Sequence, residues 1–295
     1  MRIEEYRGGV KRRLAILRSA RDYEVVILHR KLVNPLELRL LRHYSRRLVF
    51  DFDDAVMFRD SNAACQKSAS RRRGFASLAA GSDLLIAGNS YLAGWAGRYN
   101  RRVVVIPTAV DLSVFPDTSV PPRANVIGWI GSGSNLVYLE QAAPALSRLA
   151  REGERFVFKL ISDSFREIAG VETIRKHWSK EDEVKDLLSL AVGIAPLRDD
   201  PWAGGKCAFK IIQYFAAFRP VVCSPVGANR EIVQAGVNGL FAASASEWRD
   251  SLRRLLRDPR LREEMGRAGR RLVEKSFSLQ AISPRLEEAL RSLVR

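Results

Sequence analysis

The stretch GGKCAFKIIQYFAAFRPVVCSPVG, residues 204–227, carries two glycines, two lysines four residues apart, an apolar run and a Pro-bounded apolar segment. Its spacing predicts a helix over 206–218 and a buried strand over 219–225. At about 100° per residue, with Lys206 at 0°, Lys210 falls near 40° and Gln213 near −20°. Ile211, Ile212, Phe215 and Phe218 gather on the other side, so the polar stripe is narrow. Gly204 and Gly205 would let the backbone approach a ligand closely. A helix N-terminus presents unpaired N–H groups and the positive end of a dipole. Lysines are unfavourable there unless an anion offsets them, and a diphosphate is the natural candidate. The alternative is a solvated amphipathic face.

Outward from this stretch the pattern alternates. Upstream, EVVILH (24–29), RLVFDFDD (47–54), DLLIAGN (83–89) and RVVVIPTAVD (102–111) read as strands, separated by helical segments at 36–47, 73–82 and 90–100. Pro107, Pro116, Pro121 and Pro122 then mark a linker. Beyond it NVIGWIGS (125–132), FVFKLISD (156–163), VGIAPL (192–197) and RPVVCSP (219–225) read as strands. Helices are expected over 135–152, 181–190, 229–236, 246–258, 260–275 and 279–294, the last containing Pro284. Strand–helix alternation with short connections builds parallel sheets covered by helices. Two such runs joined by a proline-rich linker make two Rossmann-like lobes, and ligands in such sheets bind beyond the carboxyl ends of the strands.

The 295 residues are 46% hydrophobic and 28% charged, ordinary for a globular chain. No apolar run is long enough to span a bilayer, and MRIEEYRGGVKRR lacks the apolar core of a secretory signal. Three cysteines without C-x-x-C spacing (Cys65, Cys207, Cys223) fit a reducing compartment. The net charge of +16 divides as 21 Lys/Arg against 12 Asp/Glu through residue 120, and 28 against 21 after it. An excess of this size favours anionic membrane, nucleic acid or phosphorylated substrates. Its densest runs, KRR at 11–13 and RRR at 71–73, are not interleaved with stacking aromatics.

LRDDPWAGGKCAFKIIQYFAAFRPVVCSPVGANREIVQAGVNGLF (197–241) resembles the donor-binding segment of glycosyltransferase family 4, the glycosyl transferases group 1, of GT-B fold. RPVV, SPVG, REIV and GVNGLF carry the resemblance in combination. RLVFDFDDAV, VVVIPTAVDLSVF, NVIGWIGSGSN and RDPRLREEMGRAGRRLVEKSFS extend it over nearly the whole chain from about residue 23. It implies an α/β protein with an acceptor lobe over 1–115 and a donor lobe over 123–278. It also implies that the terminal helix 279–295 packs back toward the first lobe, and that the lobes face across a cleft. The family's first βα unit is missing or abbreviated ahead of EVVILH.

The resemblance implies a retaining transfer from a UDP- or GDP-linked sugar, with no metal and no further cofactor. Gln213 falls where the family has the glutamate that holds the ribose, and an amide can still bond two hydroxyls. Gly205 falls where the family has a donor-sugar glutamate, so Asp199, Asp200 or the Gly204–Gly205 backbone must substitute. The family's basic pair is absent from GSGSN. Lys206 and Lys210 stand in for it, with Gly131, Ser132 and Gly133 offering N–H groups to phosphate, Asp163 bordering the base pocket and Gly227 in the following glycine loop. On the acceptor side His29, Asp53 and Asp54 are candidates, since an imidazole titrates near neutral pH. Asp51-x-Asp53 also matches a metal-binding D-x-D, a role the GT-B resemblance disfavours. Trp178 is a candidate stacking platform. The acceptor is a glycan or lipid-linked sugar, and the location is cytoplasmic with peripheral contact at the inner membrane face. The alternatives are a truncated or non-catalytic relative that binds nucleotide or glycan, and a basic nucleic-acid or anionic-surface protein, for which no recognition motif is present.

Overall fold

The structure, a computed structural model, describes residues 5–6, 9–122 and 124–294. The chain divides into two compact units. One runs through Pro107 and takes in the residues from Ser283 onward, and the other is Thr108–Ile282.

In the first unit α1 (Val10–Ser19) precedes β1 (Val25–His29), α2 (Pro35–Tyr44), β2 (Arg47–Phe52), α3 (Ala69–Gly81), β3 (Leu84–Ala87), α4 (Ser90–Ala96) and β4 (Val103–Val105). All four strands are parallel, in the order β1-β2-β3-β4. Right-handed crossovers in one direction place the connecting helices on one face of the sheet. Phe75 of α3 meets Phe50 and Phe52 edge-on there, with ring centroids 6.1 and 5.3 Å away. The other face, lined by Val49, Leu84 and Ile86, is covered by Leu286, Leu290 and Leu293. Arg47 Nε donates to the Leu293 carbonyl at 2.7 Å, which fixes that cover. An Asn34–Glu37 capping box with Pro35 at the first position starts α2, and Asn89 caps α4.

The second unit contains β5 (Val126–Ile130), α5 (Ala143–Arg151), β6 (Val157–Ser162), β7 (Thr173–His177), α6 (Glu183–Leu188), β8 (Val192–Ala195), α7 (Phe209–Ala216), β9 (Val221–Cys223), α8 (Ala228–Ile232), β10 (Gly239–Phe241), α9 (Ala245–Arg257) and α10 (Pro259–Ser276). Helix α11 (Leu279–Arg291) carries the chain back into the first unit. The sheet is parallel, in the order β10-β9-β8-β5-β6-β7. Its direction of growth reverses between β5 and β8, and ligands of doubly wound sheets collect at such a switch point. Trp129, Leu146, Phe158 and Trp248 pack one side of this sheet; Ile130, Ile161, Tyr214 and Phe215 pack the other.

Several elements differ from the sequence reading. The helix expected over 206–218 begins only at Phe209. Residues 203–205 form a 3₁₀ turn, Lys206 is extended, and Ala208 takes a left-handed φ of 53°. Lys206 and Lys210 therefore do not share a helical stripe. The expected helix over 135–152 is a 3₁₀ run over 133–141 followed by α5, with Pro144 in the first turn of α5. Strands β7 and β10 were not expected. Both lie at edges of the sheet, β7 reads TIRKH with mixed polarity, and β10 has three residues. Helix α1 lies ahead of EVVILH, where the sequence reading assigned no element. The proline-rich segment read as a linker is held by the second unit. Arg219 donates to the carbonyls of Val120 (2.6 Å) and Leu188 (2.8 Å), and Arg270 to those of Pro116 (3.1 Å) and Ala216 (2.8 Å). Both arginines are buried, and desolvation, with Arg262 nearby, brings the Arg219 guanidinium down to about 10.

Candidate functional site

The second unit gathers its candidate residues at the carboxyl ends of β5 and β6 and along the loop from β8 into α7. Tyr214 sets the frame. Its hydroxyl accepts from the Ile130 N–H at 3.2 Å and lies 3.3 and 3.2 Å from the Gly128 and Ile194 carbonyls. One buried side chain thus ties α7 to β5 and β8. Burial raises the phenol well above its usual range. Gly193 permits the approach, because a Cβ there would stand 2.4 Å from the Tyr214 ring.

One turn earlier on α7, Lys210 extends across Gly131. A Cβ on Gly131 would stand 2.7 Å from Lys210 Cε and 2.8 Å from the Trp129 ring. The Lys210 ammonium lies 5.4 Å from the Trp129 ring centre, a cation–π distance. Desolvation first, and the Lys206 charge second, bring this ammonium down to about 8. Lys206 is thus close enough to repel Lys210, although it lies off the helix. Its own ammonium is 5.2 Å from the Trp202 ring centre. Lys210 has no ion pair among the described residues. A desolvated Lys210 ammonium without an ion pair among the described residues, with a second ammonium beside it, favours an anion here.

Gln213 is 4% exposed, and its side-chain amide makes no hydrogen bond among the described residues. The amide is not among the fully buried polar atoms that lack a partner, so its polar end reaches the surface and is open to a ligand. Gly204 and Gly205 are buried in the 3₁₀ turn, where the Gly204 N–H donates to the Asp200 carbonyl and the Gly205 N–H to that of Trp202. The Asp200 carboxylate accepts the Ala203 N–H through one oxygen, and its other oxygen is buried without a hydrogen bond. Gly227 packs on this turn with φ 51°, and a Cβ there would stand 2.6 Å from the Gly204 carbonyl oxygen. The loop 131–133 is partly closed on itself. The Gly131 N–H donates to the Ile161 carbonyl and the Gly133 N–H to the Asp163 carboxylate at 2.5 Å. That bond lowers the Asp163 carboxyl, as do those from Ser162 and Ser164. Ser132 Oγ accepts from Asn135 at 2.8 Å. Trp178 follows β7, half-exposed, and its indole donates to Glu183 at 2.7 Å.

In the first unit His29 stands opposite Asp51 in the β1–β2 register, and its Nδ1 is 3.0 Å from Asp51 Oδ2. Burial raises the Asp51 carboxyl, against the opposing pull of His29. Asp51 was read only as part of a D-x-D, and the strand register that pairs it with His29 was the missing information. Asp53 and Asp54 both pair with Arg30, whose left-handed φ of 57° turns its side chain back on them. Among the described residues no group of three or more His, Cys, Asp or Glu side chains is placed to hold a metal.

Residues 124–258 match the family described as glycosyl transferases group 1. Three solved structures show the fold. HepE from Anabaena, in complex with UDP and glucose, is 16% identical with a TM-score of 0.74, over 95% of this chain and 82% of that one. A glycosyltransferase from Rickettsia africae is 14% identical with a TM-score of 0.73, over 100% and 84%. Sucrose-phosphate synthase from Thermosynechococcus elongatus is 15% identical with a TM-score of 0.72, over 92% and 74%. No curated protein matches the sequence. Over residues 124–258 the chain is thus similar to the glycosyl transferases group 1 family, and its fold is GT-B.

Proposed function

We propose that the protein transfers a sugar from a UDP- or GDP-linked donor to a glycan or lipid-linked acceptor, with retention of configuration and without a metal. The observation that carries this reading is Lys210, a desolvated ammonium with no ion pair among the described residues, set beside a second ammonium, Lys206, at the β5–β8 switch point in a segment that matches the glycosyl transferases group 1 family. A diphosphate between the ammonium groups relieves their repulsion and gains charge as the sugar–oxygen bond breaks. Stabilisation that grows along the reaction lowers the barrier. The acceptor hydroxyl adds to the same face of the sugar and its proton passes to the departing phosphate oxygen. Gln213 supplies an amide with no hydrogen bond among the described residues for the ribose hydroxyls. The complexes of HepE with UDP-glucose and of pneumococcal GtfA with UDP and GlcNAc make a UDP-linked donor the first to try.

A second reading has its own observation. Gly205 has no side chain, and its N–H is already bonded to Trp202. A protein without a carboxylate at this point binds the nucleotide and turns over slowly or not at all. Incubation with UDP-glucose, UDP-GlcNAc and GDP-mannose, followed by measurement of released nucleoside diphosphate, separates the two. Release from one donor, abolished by Lys210→Ala, supports the transferase. Tight binding with no release supports the binder, and neither binding nor release rejects both.

A further inference from the structure

The two densest basic runs of the sequence, 58 residues apart, fold into one layer. KRR (11–13) lies on α1 and RRR (71–73) on α3, and α2 packs between these helices on the Phe75 side of the first sheet. The three helices contain nine Lys/Arg and a single acid, Glu37, which is paired with Arg13. The charge is also unequally shared between the units. The first holds 24 Lys/Arg against 12 Asp/Glu, and the second 25 against 21. The excess that looked evenly spread along the sequence is therefore +12 on the smaller unit and +4 on the larger. Lys11, Arg12, Arg39, Arg46, Arg72 and Arg73 are exposed and have no ion pair among the described residues. Val10 on α1 and Leu36 on α2 are 71% and 65% exposed.

We propose that this α1–α2–α3 layer docks the first unit on an anionic lipid bilayer. Cations spread over three helices match a diffuse sheet of headgroup charge, and each is worth roughly a fivefold gain in partitioning near such a surface. Val10 and Leu36 give the face apolar side chains to insert between headgroups. A single-stranded nucleic acid would call for exposed aromatics to stack its bases. The exposed Phe, Tyr and Trp side chains of the described residues, Tyr99, Trp178 and Phe209, all lie outside these helices. No helix among the described residues is long and apolar enough to cross a membrane, so the contact is peripheral. The proposal rests on the charge layer and is independent of the donor site.

The test is sedimentation of the full chain with phosphatidylcholine vesicles, with or without about 30 mol % phosphatidylglycerol, at low salt and at about 0.5 M salt. Binding is expected to the anionic vesicles only, and to be lost at high salt. Arg72→Glu with Arg73→Glu, and separately Lys11→Glu with Arg12→Glu, should each weaken it at least tenfold. Arg260→Glu with Arg271→Glu, an equal charge change on α10 of the second unit, should leave it within about twofold. Absence of binding, equal binding to neutral vesicles, or equal loss in all three variants overturns the proposal. So does salt-sensitive binding to RNA with none to vesicles.

Discussion

Lys210 and Gly131 touch across the switch point of the second sheet, with the lysine stem occupying the space where a side chain on residue 131 would begin. Gly131→Ala would place its methyl 2.7 Å from Lys210 Cε and 2.8 Å from the rigid Trp129 ring. The lysine must swing away and the ring must shift, at a cost of about 1–3 kcal/mol in stability. We expect UDP affinity to fall about tenfold or more as the ammonium is displaced. Calorimetry on a sample confirmed as folded by circular dichroism reads both effects.

The Lys210 ammonium titrates near pH 8 in the free protein. Nucleotide affinity should be full below about pH 8 and fall as pH rises past it, while Lys210→Arg should hold its affinity to higher pH. The stability consequence has the opposite direction. Between about pH 8 and the ordinary lysine value of 10.5 the unfolded chain keeps a proton that the folded protein has lost, so folding stability from this group rises with pH. The full rise is up to about 3 kcal/mol, and Lys210→Met should remove it from urea unfolding curves taken across that range.

Gln213 separates binding from folding. Gln213→Leu removes an amide that reaches solvent and has no hydrogen bond among the described residues, so thermal stability should change by less than about 1 kcal/mol. Nucleotide affinity should nonetheless drop by about tenfold. A large loss of stability with unchanged UDP binding would show the amide to be structural.

Tyr214→Phe should act through the frame. It leaves the Ile130 N–H without its partner at the end of β5, costing about 1–3 kcal/mol. The same loss loosens the strand that carries Gly131, so weaker nucleotide binding should accompany the lower melting temperature.

The alternation of strands and helices was legible in the sequence because parallel strands are continuous apolar runs, as in RLVFDF and VVILH. The edge strands β7 and β10 were not, since each is paired on one side only and neither needs a full apolar run. Lys206, Lys210, Gly131 and Gln213 were legible as candidates, yet their arrangement was not. A helix starting at Lys206 fits the residue spacing, whereas the chain spends 203–208 on a 3₁₀ turn, an extended lysine and a left-handed alanine. Asp163 was legible as a strand-end acid, yet its bond to Gly133, set by the β5–β6 register, is not revealed by spacing. The charge layer was hidden for the same reason. A count broken at residue 120 assigns Asp111 and Asp117 to the first part and the C-terminal arginines to the second, whereas the fold does the reverse.

The most direct measurement is a calorimetric titration of the wild type and Lys210→Ala with UDP, GDP and ADP at pH 7. The account predicts that one nucleotide binds selectively, and that the alanine variant, still folded, loses that binding by tenfold or more. Equal affinity in the two proteins, or no binding of any nucleotide to the wild type, would contradict the assignment of the Lys206–Lys210 pocket as a diphosphate site.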